Sequence, residues 1–323
     1  MKKLTAGFTQ LVAILNDGHY HDGTTLGEAL KITRSAVWKT IKKLQAYDIK
    51  VDSIKGRGYA LLEPLALLDQ DKIQHGLNSK NITVEVFEEI DSTNDHLKAR
   101  ITDNAIKICL AEQQTHGKGR HHRPWHSPFG QNIYLSCKYS FPRDVSQLAG
   151  LSLVASLALV KTLETYRLPK LLAVKWPNDL IYDHQKLSGT LIEIQAESYG
   201  ACHAIIGIGL NVNMLHDTQQ QILQEWTSLR KITASYIDRN SLCILLIDNL
   251  LAYLAIFEKQ GLAPFIDEWH AADYLMNKTI SLKSGDKVIR GQAKGIDTNG
   301  NLLLQTKNGT LLTCSVGDTT LLK

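Results

Sequence analysis

The chain has 323 residues, enough for two or three domains and a sizeable core. Apolar residues make up 44% and charged residues 21%, a balance that excludes a disordered chain and a membrane-embedded bundle. The net charge of +4 is unevenly spread: residues 1–64 hold ten Lys/Arg against six Asp/Glu, and the remainder carries 26 of each, so the positive excess sits where a polyanion would be engaged.

The opening MKKLTAGFTQLVAIL carries two lysines before an apolar stretch. Gln10 interrupts that stretch and no small-residue cleavage site follows, so it reads as an amphipathic helix rather than a signal peptide. The most apolar segment, 148–160, is too short for a bilayer and contains Ser152 and Ser156. Cys109, Cys137, Cys202, Cys243 and Cys314 are scattered without any CxxC, which argues for reduced thiols. A cytoplasmic protein without a membrane partner is expected.

In chain order, Leu4, Phe8, Leu11, Val12 and Leu15 recur at helical spacing. Thr24 or Thr25 is expected to cap a second helix through Leu30, with Glu28 in the capping-box position for Thr25. Thr33 caps a third, whose inward face is Ala36, Val37, Ile41 and Leu44 and whose outward face is Arg34, Ser35, Trp38, Lys39, Lys42 and Lys43. Two short strands around Ile54-Lys55-Gly56-Arg57-Gly58 follow, a hairpin with a basic tip. This is the pattern of a winged helix-turn-helix that binds DNA through Arg34, Ser35, Trp38, Lys39, Lys42, Lys43, Lys55 and Arg57: the lysines and Arg57 suit phosphates, and Arg34, Ser35 and Lys39 can reach base edges.

A linker at Pro64 leads into an expected helix over 65–76 and a strand over 83–88. Asp91-Ser92-Thr93-Asn94 then stands at a strand-to-helix junction, where short polar side chains cap the helix or grip a polar ligand head. A strand over 106–111 runs into AEQQTHGKGRHHRPWHS. Gly117 and Gly119 let the backbone close on a ligand, Lys118, Arg120 and Arg123 supply charge for a carboxylate or phosphate, and Trp125 offers a flat face. The spacing is not that of a P-loop. His116, His121, His122 and His126 match no standard metal-ligand set.

Further strands are expected over 132–139, 171–175, 180–182, 186–194 and 204–212, with a long buried helix over 145–166. Lys186 precedes Ser188 and Gly189, which leave room for a ligand, and AIIGIGLNV contains glycines where something approaches closely. Helices are expected near 219–225, 241–258 and 262–272. Beyond Lys278, turn signals at Ser284-Gly285-Asp286, Thr298-Asn299-Gly300 and Asn308-Gly309 describe a small β-barrel.

Four of these stretches, Asp91-Ser92-Thr93-Asn94, Gly117-Lys118-Gly119-Arg120, Lys175-Trp176-Pro177-Asn178-Asp179 and Lys186-Leu187-Ser188-Gly189, resemble in that order the bifunctional biotin protein ligase and biotin-operon repressor family. The resemblance spans nearly the whole chain. It implies an α+β fold: a winged helix (1–64), a central mixed-sheet, class II synthetase-like ligase domain (65–273) and a C-terminal SH3-like barrel (274–323). It implies that Ser92, Thr93, Asn94, Gln114, Lys118, Gly119, Arg120, Lys186, Gly189 and Gly207 surround biotin. Arg123, Trp125, Asn178 and Asn211 would line the nucleotide, and Lys186 and Arg120 would be catalytic.

The implied cofactors are ATP and Mg²⁺, the ion carried by ATP with no resident metal site. The implied partners are the carrier protein of acetyl-CoA carboxylase, operator DNA and a second copy. The chain departs from the family in Lys118 where arginine is frequent, in His122 where glycine is common, in Thr190 where an aliphatic is usual, and in a loosely matching C-terminus. A lipoate-type ligase or a regulator that only senses a ligand would share parts of this pattern.

Overall fold

The computed structural model of the chain describes residues 1–100, 104–142, 144–196, 202–217 and 222–322. Three helices open it: α1 (Ala6–Leu15), α2 (Gly23–Leu30) and α3 (Arg34–Ala46). Phe8, Leu11, Val12, Leu15, Leu26, Val37, Ile41 and Leu44 meet in one cluster, as the periodicity requires. Thr33 caps α3 as expected, accepting from the Ala36 amide at 3.2 Å. The cap of α2 is Asp22, not Thr24 or Thr25. Its carboxylate accepts from the amides of both threonines at 2.8 and 3.1 Å and from the Thr25 hydroxyl, bonds that hold its pKa down to about 2.

The wing is β1 (Val51–Ile54) paired antiparallel with β2 (Gly58–Leu61). Gly58 has φ +103°, and a Cβ there would lie 2.0 Å from the His21 carbonyl, so only glycine fits.

The expected helix over 65–76 is shorter, α4 (Gln70–Gly76). Before it the backbone is extended because its N–H groups bond to side chains elsewhere. Leu65 donates to Asn16 at 2.9 Å, Ala66 to Tyr236 at 2.8 Å, Leu68 to Glu112 at 2.5 Å and Asp69 to Asn240 at 2.8 Å.

The central sheet comprises β3 (Ile82–Ile90), β4 (Ile106–Gln114), β5 (Ile133–Phe141), β6 (Leu172–Lys175), β7 (Asp179–Tyr182), β8 (Gln185–Ala196) and β9 (Cys202–Leu210), with α5 (Thr93–Lys98) after β3 and α6 (Leu151–Leu163) after β5. Its order is β3-β4-β5-β9-β8-β7-β6, parallel between β3 and β4 and antiparallel elsewhere. Alternation sorts its side chains: Ile108, Leu110, Ile206 and Ile208 join the main core, while Cys109, Ala111 and Ile205 pack with Leu97 of α5. The expected 145–166 helix is broken at Ala149-Gly150, where Gly150 takes φ +83°, so that a short turn precedes α6.

Then come α7 (Leu229–Thr233), α8 (Arg239–Gln260) and α9 (Ile266–Ala272). Residues 219–221 of the helix expected near 219–225 lie outside the described residues, and 222–225 are not helical. Val145–Tyr166 and Arg239–Gln260 are long and apolar enough to cross a membrane, but α6 and α8 pack on each other and on the sheet. Arg239 and Glu112, both fully buried, pair at 2.7 Å beneath the linker.

The chain ends in β10 (Thr279–Ser284), β11 (Lys287–Ile296), β12 (Leu302–Gln305), β13 (Leu311–Cys314) and β14 (Asp318–Leu321), an antiparallel sheet ordered β13-β12-β11-β10-β14. The three turn signals fall between its first four strands. The Trp176 indole donates to Gly300 O at 3.0 Å and the Thr319 hydroxyl donates to Trp176 O at 3.1 Å, joining the two sheets.

The winged helix is docked on the central sheet. Lys43, expected to face phosphates, instead meets Glu88 at 2.5 Å, and the Tyr47 hydroxyl donates to the same carboxylate at 2.6 Å. Glu88 is only 1% exposed, and a buried carboxylate is tolerated only when bonded in this way. Burial and the neighbouring Glu88 push the Tyr47 hydroxyl pKa well up. Tyr47 also stacks on Phe129, centroids 4.2 Å apart. Replacing Glu88 by Ala strands both partners at a cost of about 1–3 kcal/mol. Limited proteolysis in the 62–69 linker should then accelerate severalfold, and an unchanged rate would mean that the Phe129 stack and the Lys2–Glu89 pairing hold the domain without Glu88.

Candidate functional site

One cavity of about 440 Å³ opens at the ends of β8 and β9 and gathers Ser92, Thr93, Asn94, Gln114, Lys118, Gly119, Arg120, Arg123, Trp125, Asn178, Lys186, Gly189, Gly207 and Asn211. Every residue that the resemblance places at biotin or the nucleotide thus lines the same space, whereas Asp91, Gly117 and Ser188 are not among its lining residues. The floor exists because β9 alternates. Ile206, Ile208 and Leu210 belong to the core, and the intervening Gly207 and Gly209 carry no side chain on the opposite face, so that Asn94 and Trp125 come close to the backbone there. A Cβ on Gly207 would lie 2.4 Å from Asn94 Oδ1, and one on Gly209 would lie 2.3 Å from the Trp125 indole.

One end is a polar shelf. Ser92 caps α5, accepting from the Asp95 amide at 3.4 Å. The amide and hydroxyl of Thr93 donate to Gln114 Oε1 at 2.9 and 3.0 Å, and the Gln114 amide donates to the Ser127 hydroxyl at 3.2 Å. Ser136, on β5, places its hydroxyl 2.7 Å from Thr93 Oγ1 and 2.6 Å from Asn94 Oδ1. Asn94 donates in turn to Glu193 at 3.0 Å, which also binds Lys98 at 2.8 Å. Burial alone would raise the Glu193 pKa, but these two bonds outweigh it and hold the carboxyl below its usual range.

The other end is cationic. Lys186 Nζ lies 2.7 Å from Asp179 and 5.4 Å from the Trp125 ring centre. Arg123 meets Asp318 at 2.5 Å, and Arg120 donates to Gly317 O at 3.2 Å and lies 3.5 Å from Asp318. Burial lowers the Arg120 pKa, with Asp318 opposing. Lys175, on β6 beside Asp179, is lowered by burial too. Lys118 turns outward to Asp95 at 2.5 Å.

Asn178 and Asn211 reach the cavity, but their amides donate to backbone, to Thr190 O at 2.6 Å and Thr227 O at 3.0 Å. The Trp125 Nε1 is buried without a hydrogen-bond partner among the described residues.

The loop is pinned by Gly119 N–H to Arg123 O at 2.7 Å and Trp125 N–H to Gly117 O at 2.8 Å. Its bend places His121 and His122 at φ 53° and 57°, the left-handed region that glycine enters freely, so the departure at His122 is accommodated at the geometry glycine would take. Among the described residues no three His, Cys, Asp or Glu converge as metal ligands.

Sequence reasoning missed Ser136, Asp95, Glu193 and Asp318. Asp179 was visible in the Trp-Pro-Asn-Asp motif but unassigned. Asp318 had no local signal, because it reaches the cavity from the C-terminal sheet. On the winged helix, Arg34, Ser35, Trp38, Lys39, Lys42, Lys55 and Arg57 are exposed, whereas Lys43 is turned to Glu88.

A cationic glycine-rich loop over a half-polar cavity, on a mixed sheet carrying its own winged helix, defines a ligase joined to a DNA-binding module. Residues 86–211 match the biotin/lipoate A/B protein ligase family, 9–60 an HTH domain and 275–319 the biotin protein ligase C-terminal domain. The chain is 39% identical to the bifunctional ligase/repressor BirA of Salmonella typhimurium, covering 94% of each. It is 37% identical to that of Escherichia coli, covering 92% of this chain and 91% of the other. Its fold resembles the Aquifex aeolicus biotin protein ligase in complex with biotin and ATP, with a TM-score of 0.65, 27% identity and coverage of 74% and 98%. The chain belongs to the bifunctional biotin ligase/repressor family.

The close approach at Gly207 yields a direct check. Gly207→Ala forces Asn94 from its place between Ser136 and Glu193, and such overpacking costs about 1–3 kcal/mol. The thermal midpoint should fall by several degrees, and an unaltered midpoint would mean that the strand yields instead.

Proposed function

We propose that the chain activates biotin with ATP to biotinyl-5′-AMP, transfers biotin to a lysine of a biotin carboxyl carrier protein, and represses transcription by binding operator DNA. The observation that carries the reading is one cavity with two ends: a shelf of donors and acceptors for a polar uncharged ring, and cations for a carboxylate and a phosphate. Residues 1–64 serve the DNA, 65–273 the chemistry, and 274–323 the closure of the site through Asp318.

Biotin lies with its ring on Ser92, Thr93, Asn94 and Gln114 and its tail along Gly189 and Gly207. Its carboxylate meets Lys186 beside the α-phosphate. A carboxylate oxygen attacks the α-phosphorus, the bond to pyrophosphate breaks, and Lys186 stabilises the charge on the crowded phosphorus. Arg123, Trp125, Asn178 and Asn211 flank the nucleotide. The mixed anhydride is sensitive to water, so the loop of Lys118, Gly119 and Arg120 closes over it. The carrier's lysine amine then attacks the biotinyl carbonyl and AMP leaves.

Mg²⁺ carried with ATP would offset the charge of the leaving pyrophosphate. Asp179 and Asp318 face the cavity already bound to cations, which fits an ion carried by ATP rather than a resident site. Buried thiols at all five cysteines suit the cytoplasm. A ligand-linked homodimer would set two α3 helices on a palindromic operator.

ATP–pyrophosphate exchange tests the chemistry. Exchange should require biotin, and Lys186→Ala should slow it by about 10²–10³, the usual loss for one such donor. Exchange with lipoate instead would change the substrate, and none with either would overturn the enzymatic reading. Arg120→Gly removes the tie to Gly317 and Asp318, so the adenylate should escape and biotinylate unrelated lysines. Retained selectivity for the carrier would refute that role.

A further inference from the structure

The recognition helix α3 is gripped at its C-terminal end, where Lys43 and Tyr47 bind Glu88 and Tyr47 stacks on Phe129. Val37, Ile41 and Leu44 face the domain core. Arg34, Ser35, Trp38, Lys39 and Lys42 are left facing outward over the first turns. Trp38 lies at the centre of this face, 51% exposed, with Lys42 Nζ 5.8 Å from its ring centre. It is the largest apolar surface that α3 leaves uncovered, and its neighbours are the cations of a polyanion-binding face.

We propose that Trp38 determines DNA specificity by packing its indole on the C5-methyl group of a thymine in the major groove. The proposal rests on the DNA-binding reading above. Tryptophan has a single N–H donor and no acceptor, so it cannot make the bidentate contacts that identify guanine or adenine. Thymine is the base whose major-groove edge carries an apolar group. The first turns of a recognition helix are where base edges are met, and the grip on Glu88 keeps the other end of α3 at the ligase sheet. Lys42 lies beside the indole, and Lys39 on the same helix, with Lys55 and Arg57 on the wing, adds phosphate-directed charge to the domain.

Duplexes are selected from a random pool by the full chain with biotin and ATP, and each thymine of the selected sequence is replaced in turn by deoxyuridine, which lacks only the methyl. At one thymine per half-site, wild-type affinity should fall about fourfold, the worth of one buried methyl. Trp38→Ala should bind thymine and deoxyuridine forms alike, and Trp38→Phe should regain part of the preference. The salt dependence of Trp38→Ala should match wild type, because no phosphate contact is removed. A selected sequence indifferent to deoxyuridine throughout, or a methyl preference surviving in Trp38→Ala, overturns the proposal while leaving DNA binding intact. A pool that never enriches overturns the DNA-binding reading and the proposal with it. A Trp38→Ala chain altered in sedimentation but not in base preference assigns the face to a second copy and refutes base reading.

Discussion

Several cations crowd one small cavity, and their mutual repulsion is the constraint that the surrounding structure answers. Two unit charges 4 Å apart interact by roughly 4 kcal/mol at an effective dielectric of about 20, a large fraction of a domain's stability. Each cation of the cavity therefore meets a carboxylate: Lys186 has Asp179, Arg123 and Arg120 share Asp318, and Lys118 has Asp95. The carboxylates come from three different parts of the chain: β7, β14 and α5. An anionic ligand entering the cavity would meet cations that are already paired rather than bare charge. The site is thus assembled before binding, and the C-terminal sheet is part of it.

Much of the fold was legible because period and capping act locally. The alternation in AIIGIGLNV is at once a strand signal and a description of the cavity floor, since one face is core and the glycines of the other let Asn94 and Trp125 approach the backbone. Legibility stopped where distant groups decide. Nothing near 65–69 announces that four of its amides will be met by Asn16, Tyr236, Glu112 and Asn240, so the segment looked helical. The break at Gly150 was hidden by apolar continuity on either side. Asp22 outcompeted the threonines for the α2 cap because a carboxylate accepts two amides and a hydroxyl together.

The same division holds for the sites. The residues facing the cavity could be picked out by chemistry and resemblance, and the structure gathers them. Their supports could not, because Ser136, Glu193 and Asp318 come from other strands. Lys43 is the instructive error on the DNA face: it lies on the basic side of α3 by sequence, yet a buried carboxylate on another domain claims it. Charge pattern alone does not reveal which cation is already committed.

Each edge strand of the central sheet is bridged at one residue by another part of the chain. Lys2 pairs antiparallel with Glu89 on β3, and on the far side β6 is met by Asp273, with Tyr274 N–H donating to Val174 O at 3.0 Å. An exposed edge strand is a template for indiscriminate strand addition, and here both ends are blunted by short irregular backbone. Between them β8 outruns β7: among the described residues its 191–196 stretch is paired in a ladder with β9 alone. That stretch begins at Leu191, which also lines the cavity, so the outrunning part of β8 and the wall of the site are one continuous backbone.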